Sequence, residues 1–278
     1  MTAVLLALAA AVGWGCSDFL GGLQARSLPL LAVLAVAMPS GLLVLGPILA
    51  ARGEGPPGAA SVGYAVLAGA TGLAGISALY RGLAVGAMGV VAPISATAPL
   101  IPVTVGVARG ERPSALQAIG MAAALVGIVL AGREPRAGSR GRVAIGAGLG
   151  LLAAGSFGLS LVAFDAAAEG DPYWATLVVR LVGCAVVLAA FPAARPALPR
   201  ARRSLSPLVA VGLFDATATM CFSVATTRGL LSVVSVVASL FPVVVVVLAR
   251  VVLGERPAAV QMGGAAAAVA GAALISAG

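Results

Sequence analysis

The sequence lacks histidine and lysine altogether, and each absence excludes a class of chemistry. Without histidine there is no His-rich zinc site, no Ser-His-Asp triad and no imidazole proton relay. Without lysine there is no Walker-type phosphate loop, so no ATP site is expected. The sequence therefore predicts a protein without a cofactor, in which any proton that is handled must be carried by a carboxylate.

Cysteine is also scarce. Cys16, Cys184 and Cys221 lie in three different apolar runs, and none forms a CxxC pair. This spacing supports neither a disulfide framework nor a thiolate metal site, so no metal is predicted. The three thiols are interpreted as small buried hydrophobic side chains.

Charge is the third deficiency. Charged residues make up 9% of the 278 residues and hydrophobic residues 61%, with a mean hydropathy of +1.11. A soluble globular chain carries about 25% charged residues, so an integral membrane protein is predicted. The net charge of +8 comes from arginines in loops between apolar runs. This pattern indicates membrane topology rather than a nucleic acid partner.

Ten apolar runs fill the chain, each close to the roughly 20 residues that a spanning helix needs. Backbone groups inside a bilayer need internal partners, and the runs are too long for barrel strands, so all ten are predicted to be helices. The first run lacks a basic n-region and is interpreted as a span, not a signal peptide. The predicted spans are residues 2–23, 28–50, 61–83, 88–108, 114–132, 143–165, 172–192, 206–227, 230–251 and 257–277. The predicted fold is therefore all-α and embedded in the lipid bilayer; the oligomeric state is left open and is compatible with a monomer.

An internal repeat organises these spans. A shift of 144 residues places residues 110–117 (GERPSALQ) on residues 254–261 (GERPAAVQ), and a shift of 143 places Trp14 on Phe157. The glutamates of the two GERP segments, Glu111 and Glu255, are interpreted as helix caps rather than substrate ligands, because each lies near a positive helix end.

The repeat divides the chain into residues 1–135 and 143–278, with five predicted spans in each. Because five is odd, the second copy enters the membrane with the opposite orientation. Inverted repeats are typical of secondary transporters, whose substrate path lies at the repeat interface near the midplane. The sequence therefore predicts alternating-access transport of a small molecule; a duplicated structural bundle or sensor that transports nothing is the alternative.

Several segments resemble one family. Residues 14–22 (WGCSDFLGG), 78–83 (ALYRGL) and 91–96 (VAPISA), together with Pro99 and the twin GERP segments, are similar to the EamA-like branch of the drug/metabolite transporter superfamily. The resemblance implies two EamA repeats, ten helices in an inner (cell) membrane, and transport of small metabolites, often as export. It leaves the substrate open, since members handle amino acids, nucleotide sugars and drugs.

The chain departs from this family at two places. Many members have an asparagine after the Trp-Gly of the first span, where this chain has Cys16, Ser17 and Asp18. The arginine that is common near the start of the second helix of each repeat is present only as Arg180, and its partner position is Ala37. A role for this arginine as one of a symmetric pair is therefore not expected here.

Ionisable side chains inside the spans are the main candidates for function, because each costs about 2.5 to 3.5 kcal/mol at a helix centre. Nearly all ionisable residues lie in loops or at span ends; only Asp18, Arg180 and Asp215 lie well inside the predicted spans, and none has an ionisable counterpart in the other repeat. One hypothesis is that Asp18 or Asp215 faces a central cavity and alternately binds a proton or a cationic group of the substrate. The alternatives are a fixed Arg180–Asp215 ion pair and an interfacial position for Asp18.

Further candidates accompany these three. Three aromatic or hydroxyl side chains are candidates to line the cavity: Trp14, Tyr80 and Thr219. The alternatives are an interfacial belt for the aromatic residues and a bond to its own backbone for the hydroxyl. Three prolines are expected to kink spans four and nine: Pro93, Pro99 and Pro242. Such kinks serve either gating or ordinary packing.

Two functional alternatives stay open beside metabolite export. A multidrug exporter of hydrophobic cations fits a membrane carboxylate in an apolar cavity. An intramembrane enzyme would use Asp18 and Asp215 as a catalytic dyad, but it lacks a protease-like sequence context and leaves the repeat unexplained. The chain is therefore predicted not to be an enzyme.

The orientation of the chain is predicted differently by two arguments. Loops after the odd-numbered spans carry 12 arginines when Arg81 and Arg250 at the adjoining span ends are included, and loops after the even-numbered spans carry 4. The positive-inside rule then places both termini outside, whereas the family resemblance implies cytoplasmic termini. Fusions of the termini to a phosphatase and to a fluorescent reporter distinguish the two.

Overall fold

The computed structural model of the chain describes residues 1–25, 27–85, 91, 94–131, 140–194, 202–254 and 258–278. Within these ranges the regular structure is helical and no strand occurs. The helices are α1 (Thr2–Ala25), α2 (Leu30–Ser40), α3 (Leu42–Arg52), α4 (Ala59–Val85), α5 (Leu100–Ala108), α6 (Ala115–Ala131), α7 (Arg140–Ala168), α8 (Pro172–Ala194), α9 (Arg202–Thr226), α10 (Leu231–Ala238), α11 (Phe241–Leu253) and α12 (Ala259–Ala277).

The described helices form eight stretches that are long and apolar enough to cross a membrane, and α6 is a shorter apolar helix. They expose many large apolar side chains, among them Leu5, Leu43 and Val251, as a lipid-facing surface requires. The all-α class and the multi-pass membrane character are thereby confirmed. The predicted span 88–108 falls partly outside the described residues, and α5 is its described helix.

Contacts between helix ends define two faces of the bundle. Gly229 lies against the Cβ atom of Ala3 at the N-terminus, and Gly278 at the C-terminus lies against the side chain of Ser114. We call this side the terminal face. We call the opposite side the arginine face, because Arg81 near the end of α4 and Arg250 in the last turn of α11 lie toward it.

Two matched hydrogen bonds show the internal repeat in three dimensions. The Ser17 hydroxyl on α1 donates to the Val211 carbonyl on α9 at 3.0 Å. The Ser160 hydroxyl on α7 donates to the Ala68 carbonyl on α4 at 2.8 Å. Adding 143 to Ser17 and Ala68 gives Ser160 and Val211, so the second bond is the first with the roles of the two repeats exchanged. The helix pairs α1 with α9 and α4 with α7 are therefore equivalent packing units.

The third pair of equivalent helices, α6 and α12, packs through glycines. A Cβ atom on Gly120 would lie 2.7 Å from the Gly271 carbonyl oxygen, and one on Gly271 would lie 2.5 Å from the Ala124 nitrogen. Gly127 and Gly264 approach the facing backbone in the same way. Small residues let membrane helices approach closely, so van der Waals contact holds this pair together.

We expect Ser17→Ala and Ser160→Ala to destabilise the protein by the same small amount. Each variant removes one interhelical hydrogen bond, and such bonds average about 0.6 kcal/mol in a membrane protein. Unfolding of the purified protein in mixed micelles measures the two losses. A difference of several-fold between them would show that the two bonds are not equivalent.

The structure corrects the expectation that Asp18, Arg180 and Asp215 are the only ionisable residues inside spans. Asp165 is the last residue of the predicted span 143–165, but helix α7 continues to Ala168 and places it inside the helix. Asp165 is 9% exposed, and its carboxylate pairs with Arg109 at 3.1 Å. The sequence pattern missed this residue because it lies at the apparent end of the apolar run.

Two of the predicted proline positions coincide with helix starts. Pro242 occupies the first turn of α11, just after the interruption that separates it from α10. Pro99 immediately precedes α5, and Pro93 lies outside the described residues. A proline has no backbone N–H to donate to a helical hydrogen bond. It is tolerated in the first turn of a helix, because an N–H at that position has no partner within the helix. The second predicted span is also interrupted, between α2 and α3. This interruption falls on a glycine, Gly41, and not on a proline.

Candidate functional site

A small open cavity of about 70 Å³ lies among α1, α2, α4, α8 and α9. Its charged lining residues are Asp18, Arg180 and Asp215, and its apolar or small ones include Gly21, Val33, Leu34, Ile76, Val211 and Gly212. These residues come from the later half of α1 and α4, the first half of α2, and the middle or first half of α8 and α9. The cavity therefore lies toward the arginine face and draws on both repeats.

Arg180 and Asp215 form an ion pair at the inner wall of this cavity. The Nη2 group of Arg180 on α8 donates to Oδ2 of Asp215 on α9. The arginine side chain is 5% exposed and the aspartate side chain 32%. A buried charge is tolerated only when it is paired, so Asp215 offsets the charge of Arg180 while keeping one side open to the cavity.

Two residues from the second span complete the surroundings of Arg180. Its Nη1 group lies 3.3 Å from the Met38 sulfur. A Cβ atom on Gly41 would lie 2.9 Å from the Arg180 Nε atom and 3.0 Å from the Ala216 Cβ atom. Gly41 therefore leaves the space through which the arginine reaches Asp215. Sequence reasoning missed Gly41, since nothing in its neighbours sets it apart from the other 36 glycines.

Asp18 lies in the same cavity without a partner. Its side chain is exposed, and among the described residues it makes no hydrogen bond or ion pair. The structure brings Asp18 to the same cavity as Arg180 and Asp215. With every group ionised, the cavity carries two negative charges and one positive charge.

The dyad expected of an intramembrane enzyme does not form. One carboxylate oxygen of Asp215 accepts from Arg180, and Asp18 is not hydrogen-bonded to Asp215 within the described part of the chain. Because a guanidinium holds the second carboxylate, the two acids are not arranged to share a proton as an acid and base pair.

Trp14 and Thr219 lie beside the cavity, not in its lining. The Trp14 indole N–H donates to the Thr219 hydroxyl at 3.2 Å, and that hydroxyl donates to the Asp215 carbonyl at 2.7 Å. The two side chains thus bond to each other and to the α9 backbone next to the ion pair. Tyr80 belongs to α4, but its side chain lies outside the described residues.

An aromatic cluster lies between the cavity and the terminal face. The Trp14 ring centroid lies 5.5 Å from that of Phe222 and 6.5 Å from that of Phe241. Phe164 lies 5.9 Å from Phe222. We call these four residues the aromatic cluster. Tilted and edge-on contacts at these separations are favourable, so the four rings stabilise the packing of α1, α7, α9 and α11 on this side of the cavity.

Glu111 caps a helix, as predicted, but the helix belongs to the other repeat. Its carboxylate accepts from the backbone N–H groups of Leu231 and Ser232 at the start of α10. The following helix of its own repeat, α6, begins instead beside Ser114, whose hydroxyl accepts from the Gln117 N–H. Glu255, the matching residue of the second repeat, lies outside the described residues.

The fold and the cavity define a multi-pass membrane protein built from two related halves around a polar site. The model of the EamA-like transporter family matches residues 1–133 and 144–277. The chain therefore belongs to the EamA-like transporter family, which confirms the resemblance seen in the sequence. The two matches confirm a two-repeat architecture.

A solved structure supports the same fold. A crystal structure that is 20% identical in sequence aligns with a TM-score of 0.82 over 99% of this chain and 98% of its own. At this level of identity the likeness concerns the fold alone. A comparison with curated proteins finds no match.

Proposed function

We propose that the chain is a secondary-active permease of the cell (inner) membrane that exports a small metabolite by alternating access and exchanges it for protons at Asp18. The proposal includes ten membrane spans. The observation that carries it is the exposed carboxylate of Asp18, which has no partner among the described residues and lies in a cavity where the other carboxylate is held by Arg180. Membership of the family supports transport as the general activity.

The closed and open sides of the bundle support alternating access. The cavity lies toward the arginine face, and the aromatic cluster separates it from the terminal face. A bundle that is open on one side and packed on the other corresponds to one end state of a transport cycle. The positive-inside rule makes the arginine face cytoplasmic, whereas the family resemblance makes the terminal face cytoplasmic; the proposal adopts the first orientation. In this orientation the open cavity loads substrate from the cytoplasm, which suits export.

The charges in the cavity support an exchange between a proton and a cationic group. Asp215 is engaged by Arg180, whereas Asp18 is free to bind either a proton or a positively charged group. Only one of the two can occupy the carboxylate at a time, and this competition couples their movements. Hydrophobic cations are the second candidate substrates, because Val33, Leu34 and Ile76 give the cavity an apolar wall.

We expect Asp18→Asn to abolish transport driven by a proton gradient, with a decrease of at least tenfold. The amide keeps the size of the side chain but neither ionises nor holds a cation. Substrates are first found by comparing the accumulation of amino acids and cationic dyes in cells with and without the gene. Uptake of the best substrate into proteoliposomes, with and without a pH gradient, then measures the effect.

Glu169→Gln is the matched control for this experiment. Glu169 is exposed at the end of α7 on the terminal face, so its neutralisation alters the net charge equally without changing the cavity. Its transport is expected to equal that of the parent. Full gradient-driven transport by Asp18→Asn would contradict the proposed coupling.

A further inference from the structure

The loop between α5 and α6 reaches from the first repeat to the second at the terminal face. The Glu111 carboxylate accepts from the Leu231 N–H at 2.6 Å and the Ser232 N–H at 3.0 Å. The first N–H groups of a helix have no partner within the helix and carry a partial positive charge, so a carboxylate there is stabilising. Glu111 thus joins the loop of one repeat to a helix of the other.

The conformation of this loop directs Glu111 inward. Gly110 adopts the left-handed region with φ of +95°, which costs little only for a glycine. The Glu111 N–H donates to the Gly106 carbonyl at 3.0 Å. A Cβ atom on Gly106 would collide with the Glu111 carboxylate, so the glycine is needed for this position.

A second charged contact lies beside the first. Arg109, two residues before Glu111, pairs with Asp165 near the end of α7 at 3.1 Å. Asp165 belongs to the second repeat, as Leu231 does. Within four residues of chain, the loop therefore makes two charged contacts across the repeat interface, and both would have to break if the terminal face opened.

The helix behind Glu111 carries polar groups that the closed state does not satisfy. Every residue of α10 is buried. The hydroxyls of Ser232 and Ser235 are buried and have no hydrogen-bond partner among the described residues. A buried polar group without a partner is unfavourable. Hydration of these hydroxyls would remove this penalty, so α10 is suited to a state in which water reaches it.

We infer that Glu111 is a latch that holds the terminal face closed, and that release of the latch opens a path along α10 past Ser232 and Ser235. The inference rests on the alternating access of the proposed function. Glu111 is a positioning residue in this view: it touches no substrate but sets the balance between the two end states. Arg109 and Asp165 support the same closure.

Accessibility of two introduced thiols tests the latch. Cys16, Cys184 and Cys221 are first replaced by serine or alanine. Ser235→Cys then reports on α10, and Gly21→Cys reports on the cavity, where a Cβ atom meets nothing closer than 3.7 Å. A membrane-impermeant maleimide is added to each side of sealed vesicles of defined orientation.

In the thiol-free parent, Gly21→Cys is expected to react from the arginine face and Ser235→Cys to stay unreactive. Adding Glu111→Gln is expected to raise the labelling rate of Ser235→Cys from the terminal face by about tenfold and to lower that of Gly21→Cys. Opposite changes at the two reporters indicate a shift between end states. If Glu111→Gln does not accumulate in the membrane, Arg109→Gln is expected to shift both reporters in the same directions.

Glu169→Gln is the control here too, since it removes an exposed acid from the same face; Glu169 repels Asp165, so its neutralisation does not weaken the Arg109–Asp165 pair. It is expected to leave both labelling rates unchanged. Unchanged labelling rates in Glu111→Gln would overturn the latch and show that Glu111 is a fixed helix cap. A rise in labelling at both reporters would also overturn the latch, because it would indicate a general loosening of the helix bundle. The assay uses neither substrate nor proton gradient, so its failure is distinguishable from a failure of coupling at Asp18.

Discussion

Asp215→Leu is expected to destabilise the protein by about 3 kcal/mol, the lower end of the cost of breaking a buried ion pair. The variant leaves the guanidinium of Arg180, which is 5% exposed, without its counter-charge. The lower end applies because Asp215 is 32% exposed and its surroundings are partly hydrated. Unfolding of the purified protein in mixed micelles measures the loss.

The double variant Arg180→Met/Asp215→Leu separates structural from functional roles of the pair. Replacing a buried ion pair with apolar side chains of similar volume is often neutral or stabilising, so the double variant is expected to regain the lost stability. Transport is expected to stay below a tenth of the parent rate, because the cavity has lost both charges beside Asp18. Normal transport by a stable double variant would show that the pair is only structural.

Gly212→Ala is expected to have the largest effect of any single methyl addition at the cavity. A Cβ atom on Gly212 would collide with the Ala37 carbonyl oxygen and lie 2.8 Å from the Ala37 carbonyl carbon. Backbone atoms do not move aside as a flexible side chain does, so α2 and α9 must separate. We expect a loss of about 3 kcal/mol, the upper end for overpacking, and a lower yield of folded protein.

Gly22→Ala on α1 provides the matched control. A Cβ atom on Gly22 meets nothing within 4 Å, so the same substitution adds the same methyl group without a collision. Its unfolding midpoint, measured by a thermal scan in detergent, is expected to match the parent. Equal behaviour of Gly212→Ala and Gly22→Ala would mean that α2 and α9 separate at little cost.

The candidate site was partly predictable from sequence. Asp18, Arg180 and Asp215 stood out because an ionisable residue in an apolar run is costly whatever its surroundings, and the structure brings all three to one cavity. Gly41 and Met38 were not predictable, because their importance depends on the path of the Arg180 side chain. The sequence identified the charged residues but not the residues that make room for them.

The role of Glu111 shows the same limit. Its position beside a glycine and a proline predicted a helix cap, and the structure shows one. The capped helix begins 120 residues further along the chain, and no local pattern connects the two segments. Asp165 was overlooked for a related reason, since its partner Arg109 lies 56 residues away.

The sequence by itself determined that this protein is an all-helical membrane protein with two related halves and belongs with the EamA-like transporters. These properties follow from the order of residues along the chain: the scarcity of charge, the length of the apolar runs and the recurrence of GERP. The tertiary structure alone decided that Asp215 is paired and Asp18 is free, and that Glu111 joins the two repeats. Such choices depend on distances between helices that are remote in sequence, so they are made only when the helices pack.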